Sequence, residues 1–181
     1  SHQLCNINDF KTNISVLTNL YETHLDFFED YNHYKLTKKR IFNYHTKKDY
    51  AILNIANNDT VSSLDDVKSN KLFFSSKQDK VNGCYIKNNI IYYFDEKVID
   101  INDIRLKGVH NYENIMAAIL VVKQIGIDNN MIVDVLKSFT GVEHRLEYVA
   151  TINNREIYND SKATNIKATQ IALSSFEQPT V

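Results

Sequence analysis

Lys38 stands apart from the other basic residues of its segment. It falls on a helical stripe with Tyr31, Tyr34 and Ile41, whereas Lys35, Lys39 and Arg40 point elsewhere. An amine so placed has two uses. It can snorkel its ammonium to solvent past the helix end, or it can be desolvated, with a lowered pKa, and contact phosphate or add carbon dioxide as a carbamate that ligates a hard cation. His24, in Glu22-Thr23-His24-Leu25-Asp26, follows a β-prone stretch and so comes at a strand's C-terminal edge, where open α/β sheets place ligands. Its imidazole suits a metal or a phosphate, or a plain backbone hydrogen bond. Asp26 is a candidate acceptor for the helix entry.

Three further groups carry polar chemistry. Asn111 and Asn114, three apart at a helix start, can face one ligand, and a carboxamide offers the donor and acceptor that an adenine edge needs; asparagine is equally an ordinary helix cap. His144-Arg145 places a forked donor suited to phosphate after a glycine, with pairing to Glu143 as the alternative. Asn159-Asp160-Ser161-Lys162-Ala163-Thr164-Asn165 packs polar residues between a strand and a helix, where Ser161 or Thr164 could also cap.

The elements that must position these groups follow from apolar spacing. Asn13–Leu20 is β-prone, and Asn32–Asn43 has the helical period. Tyr50–Ile55, Lys71–Ser75, Gly83–Lys87 and Ile90–Phe94 read as short strands, the last two joined by a hairpin at Asn88-Asn89. From Asn111 the helical period returns, with Ile115, Ala118, Ile119 and Val122 on one face and Gly126 as the C-terminal stop. A second helix spans about Asn129–Phe139 before Gly141. Strands at Leu146–Ile152 and Arg155–Tyr158, turned by Asn153-Asn154, precede a helix at about Ile166–Phe176. Strands alternating with helices predict an α/β fold, with a boundary near Gly141-Val142 that separates residues 1–141 from 142–181.

Composition removes other classes. The 181 residues carry only four glycines, none in a G-x-G pair, so neither a dinucleotide fingerprint nor a glycine-rich phosphate loop lies within them. Twenty-one Lys and Arg against 22 Asp and Glu give a net charge of -1, which provides no positive field for nucleic acid or anionic membrane. Cys5 and Cys84 form no C-x-x-C, and the histidines form no H-x3-H or H-E-x-x-H pattern; neither a zinc site nor a disulfide framework is expected, and a reducing cytoplasm fits. The longest apolar run, Ile115–Val122, is far short of the roughly 20 residues of a membrane span. Opening on Ser1 within structured sequence, and closing some 40 residues past the boundary, the chain reads as a truncated or excised segment.

In order along the chain, His24-Leu25-Asp26 with Tyr34-x3-Lys38-x-Arg40-Ile41, Gly108-x-His110-Asn111-x2-Asn114-x2-Ala117-Ala118, Phe139-x-Gly141-x2-His144-Arg145 and Asn159–Asn165 resemble the Mur ligases. The last motif is most similar to the members that add D-glutamate. The resemblance covers essentially the whole chain. It implies a mixed central-domain sheet with flanking helices, lacking its phosphate-loop part, followed by the first elements of a Rossmann-like C-terminal domain. The activity implied is ATP-dependent amide formation between UDP-N-acetylmuramoyl-L-alanine and D-glutamate through an acyl phosphate, in peptidoglycan precursor synthesis.

By that resemblance Lys38 is the carbamylated lysine and His24 the metal-site histidine, serving two Mg2+ ions. Asn111 and Asn114 match the adenine side of ATP, Arg145 a phosphate contact and Asp160 a nucleotide-contacting carboxylate. Lys162 matches a catalytic position in the cleft where acyl intermediate and amine meet, and Gln3, His144 and Thr164 match substrate-contacting positions. Ser1-His2-Gln3-Leu4 is similar to the family's Ser-Phe-Gln-Leu, with His2 a departure. A cytoplasmic monomer without nucleic-acid or membrane partners is the corresponding expectation.

Overall fold

The computed structural model describes residues 2–180 except 63, 65, 107, 165 and 177; Ser1 and Asn165, which belong to two of the motifs, lie outside the described residues. Along the chain run α1 (His2–Cys5), β1 (Ile14–Leu17), α2 (Tyr31–Lys39), β2 (Tyr50–Asn54), α3 (Asn58–Ser62), β3 (Asn70–Ser75), β4 (Gly83–Lys87), β5 (Ile90–Tyr93), β6 (Glu96–Asp100), α4 (Val109–Gln124), α5 (Asn129–Ser138), β7 (Glu147–Ile152), β8 (Arg155–Asn159) and α6 (Ile166–Leu173). The first six strands form one sheet in sequence order. β1 to β4 pair in parallel, and β5 and β6 turn back antiparallel. β7 and β8 form a separate antiparallel ribbon.

Strand alternation explains the layering. On β2, Ile52 faces the core built with Phe74, Ile91, Ile115, Met116, Ile119 and Leu120, while Ala51 and Leu53 face the opposite core with Leu20, Phe28, Tyr34 and Phe42. A parallel strand covered by helices on both sides is apolar throughout rather than alternating, and β2 is buried at four of its five residues. α4 lies across β2 to β5 on the first face. α2 belongs to the other core, through Tyr34.

β3 and β4 are parallel neighbours joined by only residues 76–82. This is feasible because Gly83 pairs with Phe73, so β4 starts level with the far part of β3 and runs beyond it. Gly83 has φ +152°, and a Cβ there would stand 2.0 Å from the Phe73 carbonyl oxygen. Only glycine admits that approach.

At the strands' starting ends, Asp49 is fully buried. It accepts from the Thr46 N–H and hydroxyl (2.7 and 2.8 Å) and from Asn13 (3.1 Å), and pairs with Lys11 (3.3 Å). The Thr46 backbone bond foremost holds its carboxyl far below the usual range. His45, also buried, shares Nε2 with Thr12 and Ser15.

Several expectations change. β6 was missed. Ala118 is exposed, and the face α4 buries comprises Ile115, Met116, Ala117, Ile119 and Leu120, with Val122 at its margin. The helix spans four strands, so its apolar face is wider than one stripe. Both Asn-Asn turns hold: residues 88 and 89, and 153 and 154, all have φ between 49° and 60°, the left-handed pair a two-residue hairpin requires.

Candidate functional site

The predicted groups fall in three places, the first of them the loop after β1 and the helix α2 that follows it. The loop after β1 is fixed by Leu20 and Phe28, both buried, and by Asn57, whose carboxamide donates to the Leu20 carbonyl (3.1 Å) and accepts from the Leu20 N–H (3.4 Å). Within this loop His24 adopts φ +57°, and its carbonyl accepts from Phe27 and Phe28. The imidazole thus stands seven residues beyond the end of β1 rather than at the strand edge itself. Its ring lies 6.2 Å from that of Tyr34 and 5.3 Å from that of His2.

α2 presents Lys38 to the same place. Asp30, not Asp26, caps the helix by accepting from the His33 N–H (2.7 Å). The helix is clamped to α3 by Asp59, which accepts from the Tyr31 hydroxyl (2.8 Å) and Lys35 (3.1 Å). Burial and that hydrogen bond push the Tyr31 pKa up, so the phenol stays protonated. Tyr34 and Thr37 are the buried residues of α2. Lys38 is half-buried, with Nζ 5.5 Å from the centre of the Tyr34 ring. Tyr34 is therefore flanked by both His24 and Lys38. Arg40 donates to the Cys5 and Ile7 carbonyls (2.8 Å each), which ties α1 and its exposed Gln3 to α2.

The second group forms where α4 begins. Gly108 is its N-cap, with φ +98° and no side-chain cap. Neither asparagine caps the helix: Asn111 is its third residue and Asn114, exposed, its sixth. Beside them Glu113 accepts from Asn54 at the end of β2 (3.2 Å) and from Ser76 just past β3 (2.6 Å). His110 is half-buried, and its pKa is lowered by desolvation against the opposing charges of Asp160 and Glu113.

The third group lies at the ends of the β7–β8 ribbon. His144 has φ +67°; its N–H donates to Glu147 (2.8 Å), its Nδ1 meets the Asn159 amide (2.8 Å), and its carbonyl accepts from Lys162 (3.1 Å). Asp160 accepts from the Leu146 N–H (3.2 Å). Arg145 is exposed, and among the described residues no ion pair joins it to Glu143. The described part of α6 begins at Ile166. Lys162 and Thr164 are exposed. The structure thus sets Lys38 and His24 each against the Tyr34 ring, ties His144 to Lys162 and Asp160 to Leu146, and leaves His110 within the electrostatic reach of Asp160.

Residues 1–122 match the family model for the Mur ligase middle domain. The chain belongs to the Mur ligase family. Across all 181 residues this Mur ligase chain is 48% identical to the UDP-N-acetylmuramoylalanine–D-glutamate ligase of Bacillus mycoides and 46% to that of Bacillus cereus, spanning 40% of each relative's length. Among solved structures it resembles MurF from Acinetobacter baumannii, with a TM-score of 0.75 and 16% identity over 94% of this chain and 38% of that one. MurF from Thermotoga maritima in complex with ADP gives a TM-score of 0.69 at 21% identity, over 92% and 40%. These likenesses establish the Mur ligase fold.

Sequence reasoning about the Mur ligase chain passed over Glu113, Asn54 and Ser76. Glu113 lies between the two noted asparagines, but only the strand ends reveal that its carboxylate is anchored.

Proposed function

We propose that the chain forms the later part of the central domain (residues 1–141) and the opening of the C-terminal domain (142–181) of an ATP-dependent ligase. That ligase joins D-glutamate to UDP-N-acetylmuramoyl-L-alanine in the cytoplasm, as a monomer, for peptidoglycan precursor synthesis. The observation that carries this reading is the 48% identity along the entire chain to a protein named for that step. The site geometry supports it.

In this reading the alanyl carboxylate attacks the γ-phosphorus of ATP and ADP leaves. The amine nitrogen of D-glutamate then attacks the carbonyl carbon of the acyl phosphate, phosphate leaves, and the amide remains. Such catalysis is mostly alignment and charge neutralisation. Asn111 and Asn114 take the adenine edge, Asp160 contacts the nucleotide through its carboxylate, and Arg145 takes the phosphates with its forked donors. Lys162 and Thr164 line the cleft where acyl group and amine meet, while Gln3 and His144 contact the substrate.

Among the described residues no three His, Cys, Asp or Glu side chains cluster tightly enough to hold a metal. The donors available are His24 and Lys38, whose Nζ lies 5.5 Å from the centre of the Tyr34 ring, and in this reading Lys38 takes up carbon dioxide as a carbamate. A Lys38 carbamate and His24 would together hold Mg2+, which when bound neutralises phosphate charge. Among the described residues no helix is long and apolar enough to cross a membrane.

The full-length parent should release ADP only when both the alanyl nucleotide and D-glutamate are supplied; equal turnover with a different amino acid would reassign the substrate. Lys38→Ala should lower kcat by about a thousandfold or more, with partial recovery on adding a small carboxylate. Full activity of Lys38→Ala without rescue would remove the carbamate assignment.

A further inference from the structure

Three alternate residues ahead of and within the first turn of α4 meet the chain beyond Gly141. Leu106 Cδ2 would lie 3.2 Å from a Cβ on Gly141. Gly108 leaves a bare seat: a Cβ there would stand 2.7 Å from the Ser175 hydroxyl, just past α6, and 2.9 Å from His110 Cε1. The His110 imidazole and the Ser175 hydroxyl therefore face one another over the Gly108 α-carbon.

Two carboxylates with different anchors also act on His110. Glu113, one turn later on the same helix, has both oxygens engaged, one by Asn54 and one by Ser76 at the strand ends. It is fixed to the six-stranded sheet. Asp160 is fixed to the ribbon by the Leu146 N–H. Both carboxylates act on the imidazole and oppose the effect of its burial.

We propose that His110 is a positioning residue for the nucleotide: seated on Gly108 against Ser175, it sets the distance between the Asp160 loop and the opening of α4. Asp160 and Asn111 then face one ligand from two sides. Neither part of the chain carries both groups, so their spacing must come from contacts between the parts, and His110 is the side chain of these contacts on which Asp160 acts. The inference rests on the nucleotide-binding reading above.

The test uses the full-length parent, with ADP affinity measured by calorimetry and KM for ATP separated from kcat. His110→Ala should weaken ADP about tenfold and raise KM for ATP similarly, with kcat within about twofold. His110→Gln, which keeps a polar side chain of similar reach over Gly108, should recover most of the loss. In an Asp160→Asn background His110→Ala should cost less than about twofold, because its effect runs through Asp160. Should His110→Ala fail to fold, Ser175→Val, which crowds the imidazole from the other side, should show the same ADP loss.

Unchanged ADP affinity in the His110 and Ser175 variants, or equal losses in both Asp160 backgrounds, would overturn the inference alone. A wild-type parent that binds no ADP would overturn it together with the functional reading.

Discussion

The six-stranded sheet and the β7–β8 ribbon carry the site in opposite ways. In the sheet, β2 is buried at Ala51, Ile52, Leu53 and Asn54, and the side chains at its C-terminal end stand on a packed base. In the ribbon, Tyr148, Val149, Ile152 and Ile157 are all substantially exposed, and no residue of either strand is fully buried. The elements that carry His24 and Lys38 therefore rest on the buried Leu20, Phe28 and Tyr34, and Glu113 is bonded to the ends of the buried strands. His144, Asp160 and Lys162 are held by hydrogen bonds to one another's backbone and side chains. Parts with few buried contacts open locally at lower free energy, so the ribbon is the part able to move relative to its neighbour while the sheet stays fixed.

The sharpest way to break this contrast uses glycines. Gly83→Ala places a methyl on the Phe73 backbone inside the sheet, which cannot retreat, and should cost about 4 kcal/mol or more. Gly126→Ala, at φ +84° after α4, meets nothing within 4 Å and should cost only the backbone strain, about 1 kcal/mol. Urea unfolding of the chain measures both; similar losses would remove the claim that the sheet backbone at Phe73 cannot retreat from a Cβ on Gly83.

A smaller effect should separate side chains of similar size. Phe74→Ala, fully buried in the α4 core, is expected to lose about 3–5 kcal/mol. Tyr148→Ala on the ribbon should lose less than about 1 kcal/mol by the same measurement.

The smallest effect is with pH. Burial lowers the pKa of His45, beneath the sheet, and of His110, at the contact with the ribbon. Each then binds fewer protons folded than unfolded. Their contribution is fully present above the ordinary histidine value of 6.5 and is lost as pH falls from there toward the folded value. Unfolding midpoints should decline over that interval, and His45→Asn should flatten the decline more than His33→Asn, which alters an exposed ring.

Much of this architecture is legible along the chain. Paired asparagines mark both hairpins because they tolerate left-handed angles. Helical spacing marks α2, α4 and α5, and Asp128 caps α5 by accepting from the Met131 N–H (3.1 Å). β6 escaped because Glu-Lys-Val-Ile-Asp lacks alternation: its two buried residues are adjacent, beside the register shift in its partner β5. The capping alternative for Asn111 and Asn114 does not hold, because the helix begins before them. Gly108 starts the helix three residues before Asn111 through its own backbone angle, so both asparagines lie within α4 rather than at its cap.

Local chemistry was therefore settled by the sequence: which segments turn, which faces are apolar, and that Lys38 rides an apolar stripe. The motif order also settled the family. Tertiary structure alone decided which distant groups meet, namely His24 and Lys38 on either side of Tyr34, Glu113 on two strand ends, and His110 against Asp160 and Ser175. Periodicity encodes only contacts within a turn or a pleat; those across the fold depend on strand register and helix placement, which are set by burying both faces of the sheet at once.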